Sequence, residues 1–228
     1  MVLHGFRSDM TGEKASHAAA WCAANGIGCT RLDCSGHGES EGAFTDGSIG
    51  SWAADAQLVL DQVAVGPQVL VGNSMGGWLM LLLALRRPER VAGLVGIAAA
   101  PDFTEDLLWA HATEEQRASL IRDGHVEVPS AYSDEPNIFT RGLIEDGRSH
   151  LVLRQPIPFA GPVRLLHGQR DPDVPWQTAL TLAERLTSDD VRVSLVKDGD
   201  HRLSRPADLD LLSDVLAEIV LTLGRSGP

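Results

Sequence analysis

The sequence lacks most of the signatures that would link it to a nucleotide, a metal or a membrane. It contains no G-x-x-x-x-G-K-[ST] motif for nucleotide phosphates and no H-E-x-x-H motif for zinc. The glycines at 36, 38 and 42 do not match G-x-G-x-x-G, so a dinucleotide site is not expected. No apolar run reaches membrane-spanning length, because the densest one, residues 69–85, is interrupted by polar residues and glycines. We therefore expect no cofactor, no metal and no integral membrane segment.

Positive charge is scarce as well. The chain has 19 basic and 31 acidic residues, which gives a net charge of −12 at neutral pH. An acidic surface repels both nucleic acids and anionic lipid headgroups. We therefore expect no nucleic-acid partner. The sequence does not indicate an oligomeric state.

Cysteine is rare, and its spacing matches no known site. Cys22, Cys29 and Cys34 form neither a metal-ligand pattern nor a C-x-x-C motif, and an odd number cannot all pair within the chain. They are expected to be reduced packing residues, which favours a cytoplasmic location. No basic start and apolar segment of a secretory signal is present. The chain begins inside a predicted strand, so one or two edge strands are expected to precede it in the native protein.

What is present is an alternation of apolar strands and amphipathic helices. Helices are predicted at 12–25, after a cap at Ser48 or Ser51, after the strand at 69–71, at 176–186 and at 207–223, and strands at 28–32, 69–71, 91–97, 163–166 and 191–196. Repeated βα units of this kind form a mostly parallel, doubly wound sheet. The 228 residues, 43% of them hydrophobic, are expected to form a single α/β domain.

Residues 101–158 break this alternation. Charged and turn residues interrupt the pattern, and only short helical pieces are predicted, around 105–111, 114–122 and 138–146. The block is too long for a simple connection between a strand and a helix. We interpret 101–158 as a small cap inserted into the single domain.

The most informative motif is Gly72-Asn73-Ser74-Met75-Gly76. It follows an apolar strand and runs directly into an apolar helix. In this context G-x-S-x-G forms a tight turn that exposes the serine hydroxyl at the carboxyl edge of a sheet. The motif predicts Ser74 as a nucleophile.

A serine nucleophile needs a base, and the base needs an acid that orients it. In folds of this kind the acid and then the histidine follow the serine along the chain. Asp171 and His201 each follow a predicted strand, so both are expected at the edge that holds Ser74. Asp173 is the alternative acid, and the spacing around it favours Asp171. His167 is interpreted as a structural residue of its strand.

A backbone oxyanion hole is the remaining requirement of this chemistry. One amide comes from the residue after the nucleophile, which is Met75, and the second from the loop after the first strand. That loop reads His4-Gly5-Phe6, which makes Phe6 the candidate for the second amide. The positive end of the helix dipole beginning at Met75 would add to the stabilisation.

Taken together, these segments resemble the α/β-hydrolase superfamily over nearly the whole chain, and several of them resemble its palmitoyl-protein thioesterase branch. The segments are Gly5-Phe6-Arg7-Ser8-Asp9-Met10, Ser74-Met75-Gly76-Gly77-Trp78-Leu79-Met80, Arg164-Leu165-Leu166-His167-Gly168, Val174-Pro175-Trp176 and Asp200-His201-Arg202. The resemblance implies an α/β-hydrolase fold and a catalytic triad of Ser74, Asp171 and His201. It also implies cleavage of S-palmitoyl groups from proteins and of acyl-glucuronide esters.

The sequence therefore predicts a serine hydrolase that cleaves carboxylic ester or thioester bonds through an acyl-enzyme. The substrate would be a small acyl ester or thioester, or an S-acylated protein. The alternatives are a ligand-binding module without hydrolytic activity, and another chemistry on the same fold, such as C–C hydrolysis or perhydrolysis. Residues of the cap are expected either to line an apolar acyl slot or only to pack the cap onto the body: Leu107, Leu108, Trp109, Tyr132, Ile138, Phe139 and Leu143.

Overall fold

The computed structural model describes residues 1–130 and 134–225. Strands in this part of the chain are β1 (Val2–Leu3), β2 (Gln68–Asn73), β3 (Val91–Ile97), β4 (His125–Val128), β5 (Asn137–Thr140), β6 (Val163–Gly168) and β7 (Val191–Val196). The α-helices are α1 (Glu13–Ala24), α2 (Ile49–Gln62), α3 (Met75–Arg86), α4 (Glu114–Arg122), α5 (Arg141–Arg148), α6 (Gln177–Arg185) and α7 (Pro206–Arg225). The predicted strands at 91–97 and 191–196 match β3 and β7 residue for residue.

The central sheet has the order β1-β2-β3-β6-β7, and all its strand pairs are parallel. The predicted doubly wound, mostly parallel sheet is confirmed. Parallel neighbours need a crossover through a helix, which the alternating βα order supplies. All five strands therefore end at the same edge of the sheet.

Both faces of this sheet are buried, and the strand residues alternate between them. Leu70, Leu94 and Leu165 face a large core covered by α2, α3 and α6. Val71 and Val95, the next residues along β2 and β3, face a second core covered by α1 and α7. This period of two, with apolar residues on both faces, accounts for the continuous apolar runs of the sequence.

The predicted strand at 28–32 is wrong as an element. In the structure this stretch forms a single parallel bridge, between Arg31 and Val2, and the Val2 amide donates to the Thr30 carbonyl at 2.8 Å. Strand β1 is only two residues long, so it has too few backbone groups to form a continuous series of hydrogen bonds with residues 28–32. Arg31 thus lies beside β1, on the side opposite β2.

The 101–158 segment connects β3 to β6. It contains a π-helix at Thr104–Trp109, followed by α4, the antiparallel pair β4–β5, and α5. The predicted helix at 138–146 is therefore partly wrong, because Asn137–Thr140 is a strand that pairs with β4 before α5 begins. Each of these two strands is only four residues long, which is too short for a periodic pattern to be detected in the sequence.

The two ends of this segment meet at one buried carboxylate. Asp102 Oδ1 accepts a hydrogen bond from the Val152 amide at 2.8 Å, and Oδ2 accepts one from the Leu153 amide at 2.9 Å. Two further contacts fasten α5 and the turn after it to the body. The Gly50 amide donates to Asp146 at 2.7 Å, and the Trp78 indole donates to the His150 carbonyl at 3.0 Å.

Among the described helices, none combines the length and the apolar character that crossing a bilayer requires.

Candidate active site

Ser74 lies in the sharp turn between β2 and α3. Its backbone has φ 53° and ψ −119°, a conformation that L-residues rarely adopt and that costs about 1–3 kcal/mol. The turn is held from both sides: the Ser74 amide donates to the Ile97 carbonyl at 2.9 Å, and the Ser74 carbonyl accepts from Gly77 at 2.8 Å and from Ala100 at 3.0 Å. The surrounding structure thus maintains a strained turn that projects the hydroxyl from the sheet edge.

The glycines of the motif are required by close backbone approach. A Cβ at Gly72 would lie 2.4 Å from the Gly76 carbonyl oxygen. A Cβ at Gly76 would lie 2.2 Å from the Leu3 carbonyl oxygen and 2.6 Å from that of His4. The elbow therefore packs directly against the end of β1, and only glycine fits at these two positions.

The structure brings Ser74, His201 and Asp171 into one hydrogen-bonded series. His201 Nε2 lies 3.1 Å from Ser74 Oγ, and His201 Nδ1 lies 2.7 Å from Asp171 Oδ2. A carboxylate only accepts, so Nδ1 carries the proton and the Nε2 lone pair faces the serine hydroxyl. This is the tautomer in which a histidine can remove a proton from serine. The imidazole is 14% exposed and the carboxylate is fully buried.

Asp171 is held by four donors. Its Oδ1 accepts from the amides of Asp173 and Val174, both at 2.9 Å. Its Oδ2 accepts from His201 and also from His167 Nε2, at 3.1 Å. Burial by itself would raise the pKa of Asp171, but the hydrogen bonds from the two histidines hold this pKa well below its ordinary value. The carboxylate is therefore ionised at neutral pH and can stabilise a protonated His201.

His167 has a contact that its interpretation as a structural strand residue did not include. Its Nε2 faces two acceptors, Asp171 Oδ2 and, at 3.0 Å, the carbonyl oxygen of Val174, so Nε2 carries a proton. The His167 side chain is almost fully buried. His167 therefore fixes the position of the carboxylate that orients His201. The sequence shows that His167 lies four residues before Asp171. That spacing predicts a contact only when the shape of the turn between the two residues is known.

The other acidic residues near this series have different partners. Asp173 is exposed, and its backbone amide donates to Asp171. Asp198 pairs with Arg205 at 2.7 Å. Asp200 Oδ1 accepts from the amides of Arg202 and Leu203 and so shapes the loop that carries His201. The geometry favours Asp171 over these alternatives.

The two amides predicted for an oxyanion hole belong to residues beside Ser74. Phe6 and Met75 both line the cavity into which Ser74 opens. Met75 is the first residue of α3 and lines the cavity, so the positive end of the helix dipole lies beside the cavity. The Phe6 ring stacks on Phe139 with a centroid distance of 5.0 Å, which anchors the loop from the other side.

His4 holds the peptide that carries the Phe6 amide. His4 Nδ1 lies 2.8 Å from the Gly5 carbonyl oxygen, and His4 Nε2 accepts from the Cys34 amide at 3.1 Å. A carbonyl only accepts, so this imidazole is neutral with its proton on Nδ1, and burial lowers the pKa of His4 in agreement. Because a peptide is planar, fixing the Gly5 oxygen also fixes the direction of the Phe6 N–H. The sequence analysis used His4 only as part of a loop motif.

The cavity into which Ser74 opens has a volume of about 390 Å³ and two unlike walls. We name it the catalytic cavity after the candidate nucleophile. The body contributes Gly5, Phe6, Ser8, Asn73, Ser74, Met75, Ala100, Pro172, Asp173, Val174 and His201. The 101–158 segment contributes Phe103, Leu107, Leu108, Val128, Pro129, Asn137 and Phe139. One wall thus carries the polar groups, and the other is mostly apolar.

Of the cap residues predicted to line an acyl slot, Leu107, Leu108 and Phe139 lie in this wall. Trp109 instead packs against the guanidinium groups of Arg117 and Arg148. Ile138 alternates with Asn137 and Phe139 along β5, so its side chain leaves the opposite face of the pair. Leu143 is buried in the core, and Tyr132 lies outside the described residues.

Cys34 and His37 have reactive side chains that do not line this cavity. Burial raises the pKa of the Cys34 thiol to about 12, so this cysteine is a packing residue. Burial also lowers the pKa of His37 to about 4, and its ring packs against His4 and Trp52. Asp171, Asp173 and His201 place potential metal-ligand atoms within 4.8 Å of one another. However, Asp171 and His201 are bonded to each other, an arrangement suited to proton transfer.

Comparison with known proteins agrees with this geometry. The sequence profile of the serine aminopeptidase S33 family matches residues 1–141. The mitochondrial palmitoyl-protein thioesterase ABHD10 of Mus musculus is 41% identical over 221 residues, covering 96% of this chain and 74% of the relative. The human protein of the same name is 39% identical, with 96% of this chain and 72% of the relative covered. The chain belongs to the α/β-hydrolase family.

Solved structures place the α/β-hydrolase fold over nearly the whole chain. Mouse α/β-hydrolase domain-containing protein 10 superposes with a TM-score of 0.90 at 39% identity, covering 97% of this chain and 89% of that one. A protein of Agrobacterium vitis S4, provisionally classed as a hydrolase, superposes with a TM-score of 0.93 at 48% identity, covering 96% and 86%. The predicted resemblance is confirmed, and the protein is a hydrolase of this family.

Proposed function

We propose that this α/β hydrolase is a serine enzyme that cleaves carboxylic ester or thioester bonds through an acyl-enzyme. The observation that carries the proposal is the position of His201 between two partners. Its Nε2 lies 3.1 Å from the Ser74 hydroxyl oxygen, and its protonated Nδ1 lies 2.7 Å from the buried Asp171 carboxylate. A hydroxyl, a base and an orienting acid in series are what nucleophilic acyl transfer requires.

In the first half of the reaction, Ser74 Oγ attacks the substrate carbonyl carbon while His201 Nε2 takes the hydroxyl proton. The carbonyl oxygen becomes an anion, which the amides of Phe6 and Met75 stabilise at the N-terminus of α3. His201 then donates the proton to the departing alcohol or thiol. The Asp171 charge stabilises the imidazolium that exists between these two transfers.

In the second half, water takes the place of the leaving group. His201 removes a proton from the water as the water attacks the acyl-enzyme carbonyl. The same two amides stabilise the second tetrahedral intermediate, and His201 returns the proton to Ser74 Oγ. The free acid leaves, and the enzyme is restored. The residues named here supply all the proton transfers of the cycle.

Two observations support the proposed substrate class, the names of the relatives and the lining of the cavity. The curated relatives are named palmitoyl-protein thioesterases, which supports thioesters as well as esters as substrates and includes S-acylated proteins among them. The apolar wall of Leu107, Leu108 and Phe139 favours an acyl group over a polar one. We assign the 101–158 segment the role of a cap in the single domain, with acyl selection as its task. A cytoplasmic location stays a prediction from the cysteines.

Substitution of Ser74 by alanine tests the proposal. We expect loss of labelling by a fluorophosphonate probe and a fall in kcat of at least about 10⁴-fold on p-nitrophenyl acetate and on an acyl-CoA thioester. A burst of acyl-enzyme with an activated ester in the wild-type protein is the matching positive result. Labelling that persists in Ser74→Ala would remove this residue from the mechanism. A wild-type protein without burst or turnover would point to a ligand-binding module.

A further inference from the structure

A second cavity lies next to the catalytic one, inside the 101–158 segment. We call it the distal cavity; its volume is about 180 Å³. Leu107, Leu108, Val128 and Phe139 line both cavities. The catalytic and distal cavities are therefore two compartments on the two sides of one apolar partition.

The local backbone explains why these four side chains form a partition. Leu107 and Leu108 are neighbours in the π-helix, whose turns are wider than those of an α-helix, so consecutive side chains diverge less. Val128 lies two residues after Val126 on β4, and Val126 is paired with Phe139 on β5. Residues two apart on a strand share a face, so the strand pair presents one apolar face to both compartments.

The distal cavity is apolar beyond the partition. Its further lining includes Leu120 and Ile144, both buried, and Val126 and Ala112, both half-buried. The polar lining residues are His111, which is exposed, and Gln116, whose side chain caps the first turn of α4 at the Thr113 amide. Leu107 and Leu108 are only half-buried, because a cavity lies on each side of them. Apolar surface left in contact with water in this way is stabilised when an apolar ligand covers it.

We propose that the distal cavity binds the terminal methylene groups of a straight acyl chain whose carbonyl carbon lies at Ser74. The proposal rests on the proposed function, because the acyl-enzyme fixes one end of the chain in the catalytic cavity. A short acyl group stays on the Ser74 side of the partition. A long, unbranched one passes between Leu107, Leu108 and Phe139 into the second compartment. The 101–158 segment thus selects for chain length in two stages.

Chain length should therefore affect the rate in a stepwise manner. Each methylene moved from water into an apolar site raises kcat/KM by about fourfold if it is fully covered in the transition state. We expect kcat/KM to rise with chain length until the catalytic cavity is filled, and to rise again for chains that reach the distal cavity. A series of p-nitrophenyl esters and acyl-CoA thioesters from C2 to C16 measures this profile.

The decisive variant is Ala112→Phe, which fills the distal cavity without touching the catalytic one. We expect kcat/KM for C12 to C16 substrates to fall at least tenfold, and kcat/KM for C2 to C4 substrates to keep the wild-type value. Ala118→Phe is the matched control: it makes the same change nearby, on the exposed side of α4, and should keep the whole profile. Thermal unfolding of both variants checks that they fold.

Val126→Phe narrows the same compartment from β4 and replaces the first variant if that one does not fold. Long-chain rates that stay at the wild-type level in the folded variant would overturn the proposal, and so would equal losses on acetate and palmitate. A wild-type profile that is flat from C8 to C16 would overturn it as well. The proposed function fails separately, through loss of Ser74-dependent turnover on the shortest esters.

Discussion

The carboxyl edge of the central sheet and the 101–158 segment face each other across one cavity, yet they are built in different ways. At the sheet edge, Ser74 sits in a strained turn that packs so closely that Gly72 and Gly76 admit no side chain. Across the cavity, Leu107 and Leu108 are half-buried and face open space on two sides. One wall holds the Ser74 backbone in a fixed position, whereas the other leaves space between its side chains.

Under the proposed function, the sheet edge carries out the reaction and the 101–158 segment selects the acyl group. Changes at the sheet edge should act on every substrate alike, because all substrates pass through the same acyl transfer. Changes in the 101–158 segment should act on substrates according to their acyl chain. Variants placed in pairs, one in each region, can test whether this separation holds.

The largest effect is expected at the orienting acid. Asp171→Asn should lower kcat by about 10⁴-fold on short and long acyl substrates alike, because an amide does not hold His201 in its active tautomer. Asp173→Asn changes the exposed neighbouring acid and should leave kcat close to the wild-type value. Steady-state rates on acetate and palmitate esters measure both. A large loss in Asp173→Asn alone would reverse the assignment of the acid.

A second pair compares glycines of the two regions. Gly76→Ala should lower the free energy of unfolding by about 3 kcal/mol, since its Cβ would lie 2.2 Å from the Leu3 carbonyl oxygen. Gly142→Ala, in α5, meets only the Thr140 hydroxyl oxygen at 3.9 Å and should raise the free energy of unfolding by up to about 1 kcal/mol. Urea denaturation measures both changes. Equal stabilities would mean that the elbow can relax and is less rigid than the contacts indicate.

The smallest and most selective effect is expected from two helix caps of the same type. Ser48 caps α2 in the body, and Thr113 caps α4 in the 101–158 segment. In both helices the cap side chain accepts from the backbone amide of the third helical residue, whose own side chain accepts from the cap amide. Replacing either by alanine should cost about 1 kcal/mol of stability. Only Thr113→Ala should also lower the ratio of palmitate to acetate turnover, because α4 carries Leu120 into the distal cavity. The same ratio change in Ser48→Ala would break the separation of the two regions.

The same two regions differ in how far their structure could be predicted from the sequence. Strand β3 lies inside the sheet and is almost entirely buried, so a continuous apolar run marks its bounds. Strand β7 lies at the sheet edge, and its apolar residues alternate with Arg192 and Ser194. The loops that follow β2, β6 and β7 must meet at one edge of a parallel sheet. For that reason Ser74, Asp171 and His201 could be grouped without coordinates.

The 101–158 segment gave much weaker signals. Strand β5 is four residues long and pairs with residues a dozen positions earlier, which no local pattern reports. The π-helix at Thr104–Trp109 was expected only as an ordinary helical piece. The contact of His167 with Asp171 likewise depends on the shape of a turn. Contacts set by tertiary packing rather than by periodicity are the ones that sequence reasoning missed.

The Asp102 carboxylate has a consequence for how this enzyme can change. It binds the amides of Val152 and Leu153, so the chain leaves the body and returns to it at a single point. A loop whose ends are already joined can be lengthened at small entropic cost, about 0.6 kcal/mol for each doubling of its length. A replacement of this stretch that keeps the contacts of Asp146 and His150 with the body can therefore give descendants or engineered hybrids new substrate ranges while the sheet keeps its reaction.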